Sequence, residues 1–282
     1  MAAYKGRKFV RDINSDSIPA SIELYAMKVS AHIEIDPNLP EDEPGFSFNH
    51  NGEYYISLNG NNLPERQRFT ACHEIGHIEL DLSSIHEGPR WSYQKRHINE
   101  ILCDVFASEL LLPFNLFKPL VDKVEISFSE ISNLASKFEA SLIATGSRFA
   151  TANDRLCAFV ISENGIIRYA SRSKALRDSG AWIQPGIPIP PSSLSWESRN
   201  DKAYQTTRRI DAEHWLTDWR GNQELFEQTR YLAQWDQTLT LLWFEEDEIP
   251  SKIYSDKGYI EDTGFKELDG VLPWPGKSRR RP

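Results

Sequence analysis

The sequence predicts an α+β fold: a small antiparallel sheet with a helical bundle, followed by a mostly antiparallel β domain. Three observations carry this reading. A strand–turn–strand pattern at 45–59 leads directly into a helix opened by Pro64. Helical periodicity then governs most of residues 98–153. Beyond Leu156 strand-like runs take over, and seven of the eight tryptophans lie there, enough to build an aromatic core.

Residues 17–31 place Ile22, Tyr25, Ala26 and Val29 on one face of an amphipathic helix. Short strands follow at 33–35, 45–48 and 53–59, the last two joined by a turn at His50-Asn51-Gly52. An Asn-Gly pair tolerates the left-handed backbone that a tight hairpin needs. Residues 54–59 are either an ordinary sheet strand or the edge along which an extended peptide adds, with Tyr55 as a candidate substrate contact. Pro64 stands at the first position of the next helix, where a missing N–H costs nothing. Residues 83–97 read as a loop, and a second helix from Ile98 to about Leu112 is stopped by Pro113.

Shorter helices are expected at 114–122, 128–138 and 141–153. A second hairpin turns around Glu163-Asn164, residues 185–191 form a proline-rich loop, and strand-like runs follow at 211–219, 225–233 and 238–245. The chain thus divides into 1–122, a helical segment 123–155 packed on it, and an aromatic-rich α+β or β module over 156–282.

The net charge of −9 argues against a general nucleic-acid binder, because phosphate contact needs a basic surface. The basic tail Lys277 to Arg281 reads as a solvated end. No apolar run approaches the length needed to cross a bilayer, and polar residues follow Met1 to Lys8 where a secretion signal would have its apolar core. Three cysteines (Cys72, Cys103, Cys157) are too few and too odd for a disulfide framework, which points to a reducing, cytoplasmic setting.

The helix from Pro64 carries His73-Glu74-Ile75-Gly76-His77. Residues four apart share a helical face, so His73 and His77 can direct two imidazoles at one divalent ion. Glu74 then stands beside them as a general base for water, the chemistry of peptide hydrolysis. A hydrolytic site needs a third protein ligand. A histidine-rich extension of the same helix would require glycine at 80 and histidine at 83, but Leu80 and Ser83 stand there. Glu100 and Asp104, one turn apart on the following helix, supply the alternative: Glu100 on the metal, Asp104 accepting the free N–H of a ligand histidine. His86, His97, Asp81 and Glu109 are competing ligands, and His86 and His97 are also candidate substrate contacts.

Arg68-Phe-Thr-Ala-Cys-His-Glu-Ile-Gly-His-Ile-Glu-Leu80, followed by Glu100-Ile-Leu-Cys-Asp-Val-Phe-Ala-Ser-Glu-Leu-Leu-Leu-Pro113, resembles the ImmA/IrrE family of bacterial metallo-endopeptidases. The resemblance covers about residues 20–150. Cys72, Cys103 and Asp104 depart from the usual pattern without removing a ligand or the base. The resemblance implies a gluzincin-like α+β domain with His73, His77 and Glu100 on the metal and Glu74 as base. It implies zinc, with manganese compatible with the hard carboxylate ligand. It also implies cleavage of an intracellular regulator, often a helix-turn-helix repressor, in mobile elements or stress responses.

Ser127 to Glu130 forms a capping box, and the helices at 128–138 and 141–149 resemble a helix-turn-helix unit. The recognition-helix candidate has only Arg148 and Arg155 as basic residues, thin for DNA contact. The C-terminal module reads as a sensor or a substrate-docking unit. Two other classes stay open: a non-catalytic DNA-binding or ligand-sensing regulator with a structural metal, and a toxin–antitoxin component acting by binding.

Overall fold

The computed structural model describes residues 1–83, 97–200, 207–217, 219 and 222–245. The basic tail and His86 lie outside these residues. The chain opens with α1 (Ala2–Ile13), which the sequence reading did not anticipate. Its buried Ala2, Gly6 and Phe9 recur at helical spacing, hidden in sequence among Lys5, Arg7, Lys8 and Arg11. The helix expected over 17–31 is shorter: α2 (Ile22–Lys28) is capped by the Ser21 hydroxyl, which accepts from the Leu24 N–H.

Three strands follow, β1 (Ala31–Asp36), β2 (Gly45–His50) and β3 (Glu53–Asn59). Asn51 and Gly52, both at positive φ, close the β2–β3 hairpin as expected. The sheet order is β1-β3-β2, with β1 parallel to β3 and β2 antiparallel to it. The small sheet is therefore mixed rather than antiparallel throughout. The strand at 54–59 is central, not an edge. Loop 37–44 carries the chain across from β1 so that β2 takes the outer position, a long-range choice that local pattern does not encode.

Five helices come next: α3 (Pro64–Leu80), α4 (Ile98–Leu111), α5 (Phe114–Val121), α6 (Phe128–Phe138) and α7 (Leu142–Ala152). The Ser127 hydroxyl caps α6 and Ser141 caps α7, accepting from the N–H groups of Glu130 and Ala144. Arg148 on α7 makes a bidentate pair with Glu109 of α4 at 2.6 and 3.0 Å, and Arg7 of α1 reaches the same carboxylate. Arg155 is held by the Val124 carbonyl and the Asn153 side chain. Both arginines of the recognition-helix candidate are thus tied inward, and α6–α7 act as a brace on α4.

A five-stranded antiparallel sheet completes the chain in the order β5-β4-β8-β7-β6. Its strands are β4 (Cys157–Glu163), β5 (Ile166–Arg172), β6 (Thr207–Asp211), β7 (Glu224–Leu232) and β8 (Gln237–Trp243), with α8 (Lys174–Asp178) and α9 (Leu194–Asn200) between them. The strand expected over 211–219 is a correction: β6 ends at Asp211 and a 3-10 turn begins at Ala212. Buried Ala212, Trp215, Leu216 and Trp219 are spaced at three, four and seven residues, a helical rhythm rather than alternation.

The main hydrophobic core crosses residue 156 without a break. Phe106, Phe117, Phe128 and Phe149 of the helices pack in one cluster with Phe159, Leu239 and Leu241 of the sheet. Contact is closest at Gly146, where an added Cβ would lie 2.3 Å from the Phe159 ring. On the far side of the sheet, fully buried Glu227 accepts hydrogen bonds from the Leu194 and Ser195 N–H groups and the Ser195 hydroxyl, tying α9 to β7.

Burial pushes the Glu227 carboxyl above its ordinary range, against the pull of those donors. A raised folded-state value means the folded chain holds its proton longer, so this group's contribution weakens as pH rises above 4.5 through the folded value. Denaturation curves across this range should therefore show Glu227→Gln losing less stability than wild type as pH rises. Parallel pH profiles would remove the assignment.

Candidate metal centre

The site begins with the meeting of α3 and α4. At Gly76 an added Cβ would stand 3.3 Å from the Cys103 Cα and 3.4 Å from its carbonyl oxygen, tighter than most side chains pack, so glycine favours the close approach of the two backbones. His73 and His77 of α3, three residues before Gly76 and one after it, then face Glu100 and Asp104 of α4. All four are buried, as is Glu74, which is 1% exposed.

The histidine rings are fixed through their inner nitrogens. His73 Nδ1 lies 2.8 Å from Asp104 Oδ1, and His77 Nδ1 lies 3.0 Å from the Leu82 carbonyl. Both partners only accept, so both Nδ1 atoms donate and each neutral ring turns an Nε2 lone pair inward. The Leu82 carbonyl comes into reach because Asp81 ends α3 in the left-handed region and folds the chain back.

The inward atoms converge. The two Nε2 atoms are 3.0 Å apart, and the Glu100 carboxylate lies 3.2 Å from His73 Nε2 and 3.4 Å from His77 Nε2. A tetrahedral ion with bonds of ~2.0–2.1 Å has ligand–ligand edges of ~3.3–3.4 Å. The residues present therefore fit a small divalent metal. Two lone pairs and a carboxylate at these separations repel one another unless a cation stands among them. His73 shows the same preference: burial opposes its charge, yet the hydrogen bonds it donates to Asp104 and Glu100 hold its pKa up at about 9. The proton does there what a metal cation would do more fully. His73, Glu74 and His77 also form the potential metal-holding group found among the described residues.

Glu74 has a partner that the sequence reading missed. Ser47 Oγ on β2 donates to Glu74 Oε2 at 2.7 Å. The only sequence signal was position: Ser47 alternates with Phe46 and Phe48, so it faces the other side of the strand. Tyr55 is not brought to the site. It pairs across the sheet with Phe48, whose face is opposite to that of Ser47. His97 caps α4, its ring accepting from the Asn99 N–H, and is exposed. Glu109 is committed to Arg148 and Arg7, and Asp81 to ending α3, so neither competes as a ligand. Arg68 points away, to the Ala20 carbonyl and Glu139. Cys72 and Cys103 are fully buried, and burial pushes the Cys72 thiol up to about 12, the state of an inert packing group.

With this geometry in place the family can be assigned. Residues 26–150 match the family described as IrrE N-terminal-like domain. This segment belongs to the ImmA/IrrE family of metallopeptidases. The chain is similar to the radiation response metalloprotease IrrE of Deinococcus deserti, 28% identical over 52% of this chain and 58% of that protein. It is 32% identical to the Deinococcus radiodurans protein of the same name over 30% of this chain and 27% of the other. The chain thus spans less than two thirds of these relatives' length. A solved structure described as a Mycobacterium tuberculosis transcriptional regulator shares the fold, with a TM-score of 0.56 over 86% of this chain and 75% of that one at 13% identity.

Two substitutions test the geometry. Gly76→Val should part α3 from α4, lowering stability by about 1–3 kcal/mol as overpacking does, with loss of divalent-metal affinity in the same titration. Asp104→Ala should leave the fold intact but weaken metal binding about 10–100-fold by releasing the His73 ring. Unchanged affinity in both variants would place the metal elsewhere.

Proposed function

We propose that the protein is a zinc-dependent endopeptidase that cleaves a specific intracellular regulator. The reading is carried by one observation: Glu74 lies beside two converging histidines and the Glu100 carboxylate, held by Ser47 rather than by a basic residue. A purely structural metal has no use for such a carboxylate. His73, His77 and Glu100 would hold the ion, and Asp104 and the Leu82 carbonyl would keep the rings aligned. Zinc suits a set of two imidazoles and one carboxylate, and manganese is the compatible alternative. When bound, the ion lowers the pKa of water and polarises the scissile carbonyl.

The remaining work belongs to the chain. Glu74 takes the proton of the attacking water and delivers it to the leaving amine. The Ser47 hydroxyl holds one carboxylate oxygen, leaving the other for that transfer. β2, at the edge of the small sheet, is the strand along which an extended peptide would pair and pass Glu74. A helix-turn-helix repressor is the substrate class that the family resemblance supports, and the cytoplasm is where such a regulator is found. The C-terminal sheet serves as a docking or sensing module. Among the described residues no helix is long and apolar enough to cross a membrane.

The test incubates purified, zinc-loaded protein with a candidate helix-turn-helix regulator, taken first from any encoded beside this chain, and follows cleavage by mass spectrometry. Glu74→Gln should retain a full equivalent of metal and lose about 10²–10⁴-fold in cleavage. Glu100→Ala should lose the metal itself. Equal inertness of wild type and Glu74→Gln toward the regulator would remove the enzymatic reading.

A further inference from the structure

The face of the small sheet turned away from the metal centre carries an organised aromatic row. His32, Tyr55 and Phe48 are register partners across all three strands. His32 stacks on Tyr55 with ring centroids 5.2 Å apart, and Tyr55 on Phe48 at 5.4 Å; Phe46 continues the row at 6.1 Å. Sheets solvated on one side usually place polar residues there. Here Phe48 is 46% exposed and the His32 side chain 62% exposed. Loop 37–44 stops short of covering them: Asn59 anchors it over the far end of β3 by donating to the Leu39, Pro40 and Glu43 carbonyls.

The fixed charge on these three strands has one sign, with the His32 ring 3.5 Å from the Glu53 carboxylate. Between Val29 and Pro64 the sequence holds six acidic residues (Glu34, Asp36, Glu41, Asp42, Glu43, Glu53) and neither lysine nor arginine. Glu34 and Glu53 stand on the same face as the aromatics by strand alternation. Glu53 sits 3.3 Å from the Tyr55 hydroxyl, at the rim of the stack. An aromatic platform without cations repels phosphate, so a nucleic acid does not fit. Two copies face to face would set acid against acid, which disfavours self-association.

We propose that this face is a docking surface for an arginine-bearing, basic segment of a partner protein. A guanidinium is planar and weakly hydrated, so it packs on aromatic rings while its edge pairs with a carboxylate such as Glu53 or Glu34. Lysine, a compact and strongly hydrated charge, gains less from the rings. The surface lies across the sheet from Glu74, so its occupancy does not depend on hydrolysis.

The test titrates the full chain with a fluorescent peptide of alternating arginine and serine, and with its lysine counterpart, across salt concentrations. Wild type should bind the arginine peptide more tightly, and binding should weaken as salt rises. Phe48→Leu and Tyr55→Leu keep apolar bulk without a ring and should each weaken arginine binding about two- to fivefold. Tyr55→Phe should preserve it, and Trp235→Ala, an exposed tryptophan elsewhere, should change nothing. Thermal melting of every variant separates lost contact from lost fold. Equal affinity for the two peptides, which wild type alone reports, would overturn the proposal. So would insensitivity to the leucine variants, tighter binding of a single-stranded oligonucleotide, or self-association abolished by Phe48→Leu.

Discussion

The architecture depends on how closely α3 and α4 approach at Gly76. Helix axes normally stand ~8–10 Å apart with side chains between them. Here one helix offers no side chain at the crossing and the other offers only Cys103. That nearness lets a glutamate and an aspartate one turn apart reach imidazoles that are also one turn apart. It explains why small residues stand between the chemically active ones: Gly76 between the histidines, Cys103 between Glu100 and Asp104. Cys72 and Cys103, both fully buried, fill the space left over and are spectators to the chemistry.

Burying three carboxylates within one small volume is costly unless something positive joins them. Glu109, on the same helix as Glu100 and Asp104, takes two guanidinium partners. The contrast along α4 is instructive. Glu109 is neutralised by the protein and fastens α1 and α7 to α4. Glu100 and Asp104 face the His73 ring, and its hydrogen bonds to them hold its pKa up at about 9 against burial. One helix therefore carries a carboxylate that fastens its neighbours at one end and a pair that faces the histidines at the other.

Much of this was legible in the sequence where the information is local. Helical spacing placed His73 with His77 and Glu100 with Asp104, proline and serine marked helix starts, and turns at Asn51-Gly52 and around Glu163-Asn164 marked the two hairpins. Three things were not legible. The partner of Glu74 comes from a strand 27 residues earlier, and a serine between two phenylalanines carries no label for that task. The central place of β3 follows from a crossover loop, which no local pattern fixes. α1 and the 3-10 turn at 212 were hidden for opposite reasons. Charges masked a narrow apolar stripe in the first, and tryptophans suggested a strand in the second, although their spacing was helical.

The C-terminal sheet bears on the metal centre through packing alone. Phe159 of β4 sits against Gly146 of α7, and two residues further along α7 Arg148 clamps Glu109. Glu109 lies nine residues beyond Glu100 on the same helix, so α7 is wedged between the sheet and the helix that presents Glu100 and Asp104. Close-packed interiors transmit displacement because they contain little empty volume. A shift of β4 therefore reaches α4 through two contacts, one steric at Gly146 and one ionic at Arg148. The second is bidentate, and Glu109 is held by Arg7 of α1 as well. α7 thus stands between the sheet and α4, with Phe159 against its Gly146 and its Arg148 tied to Glu109.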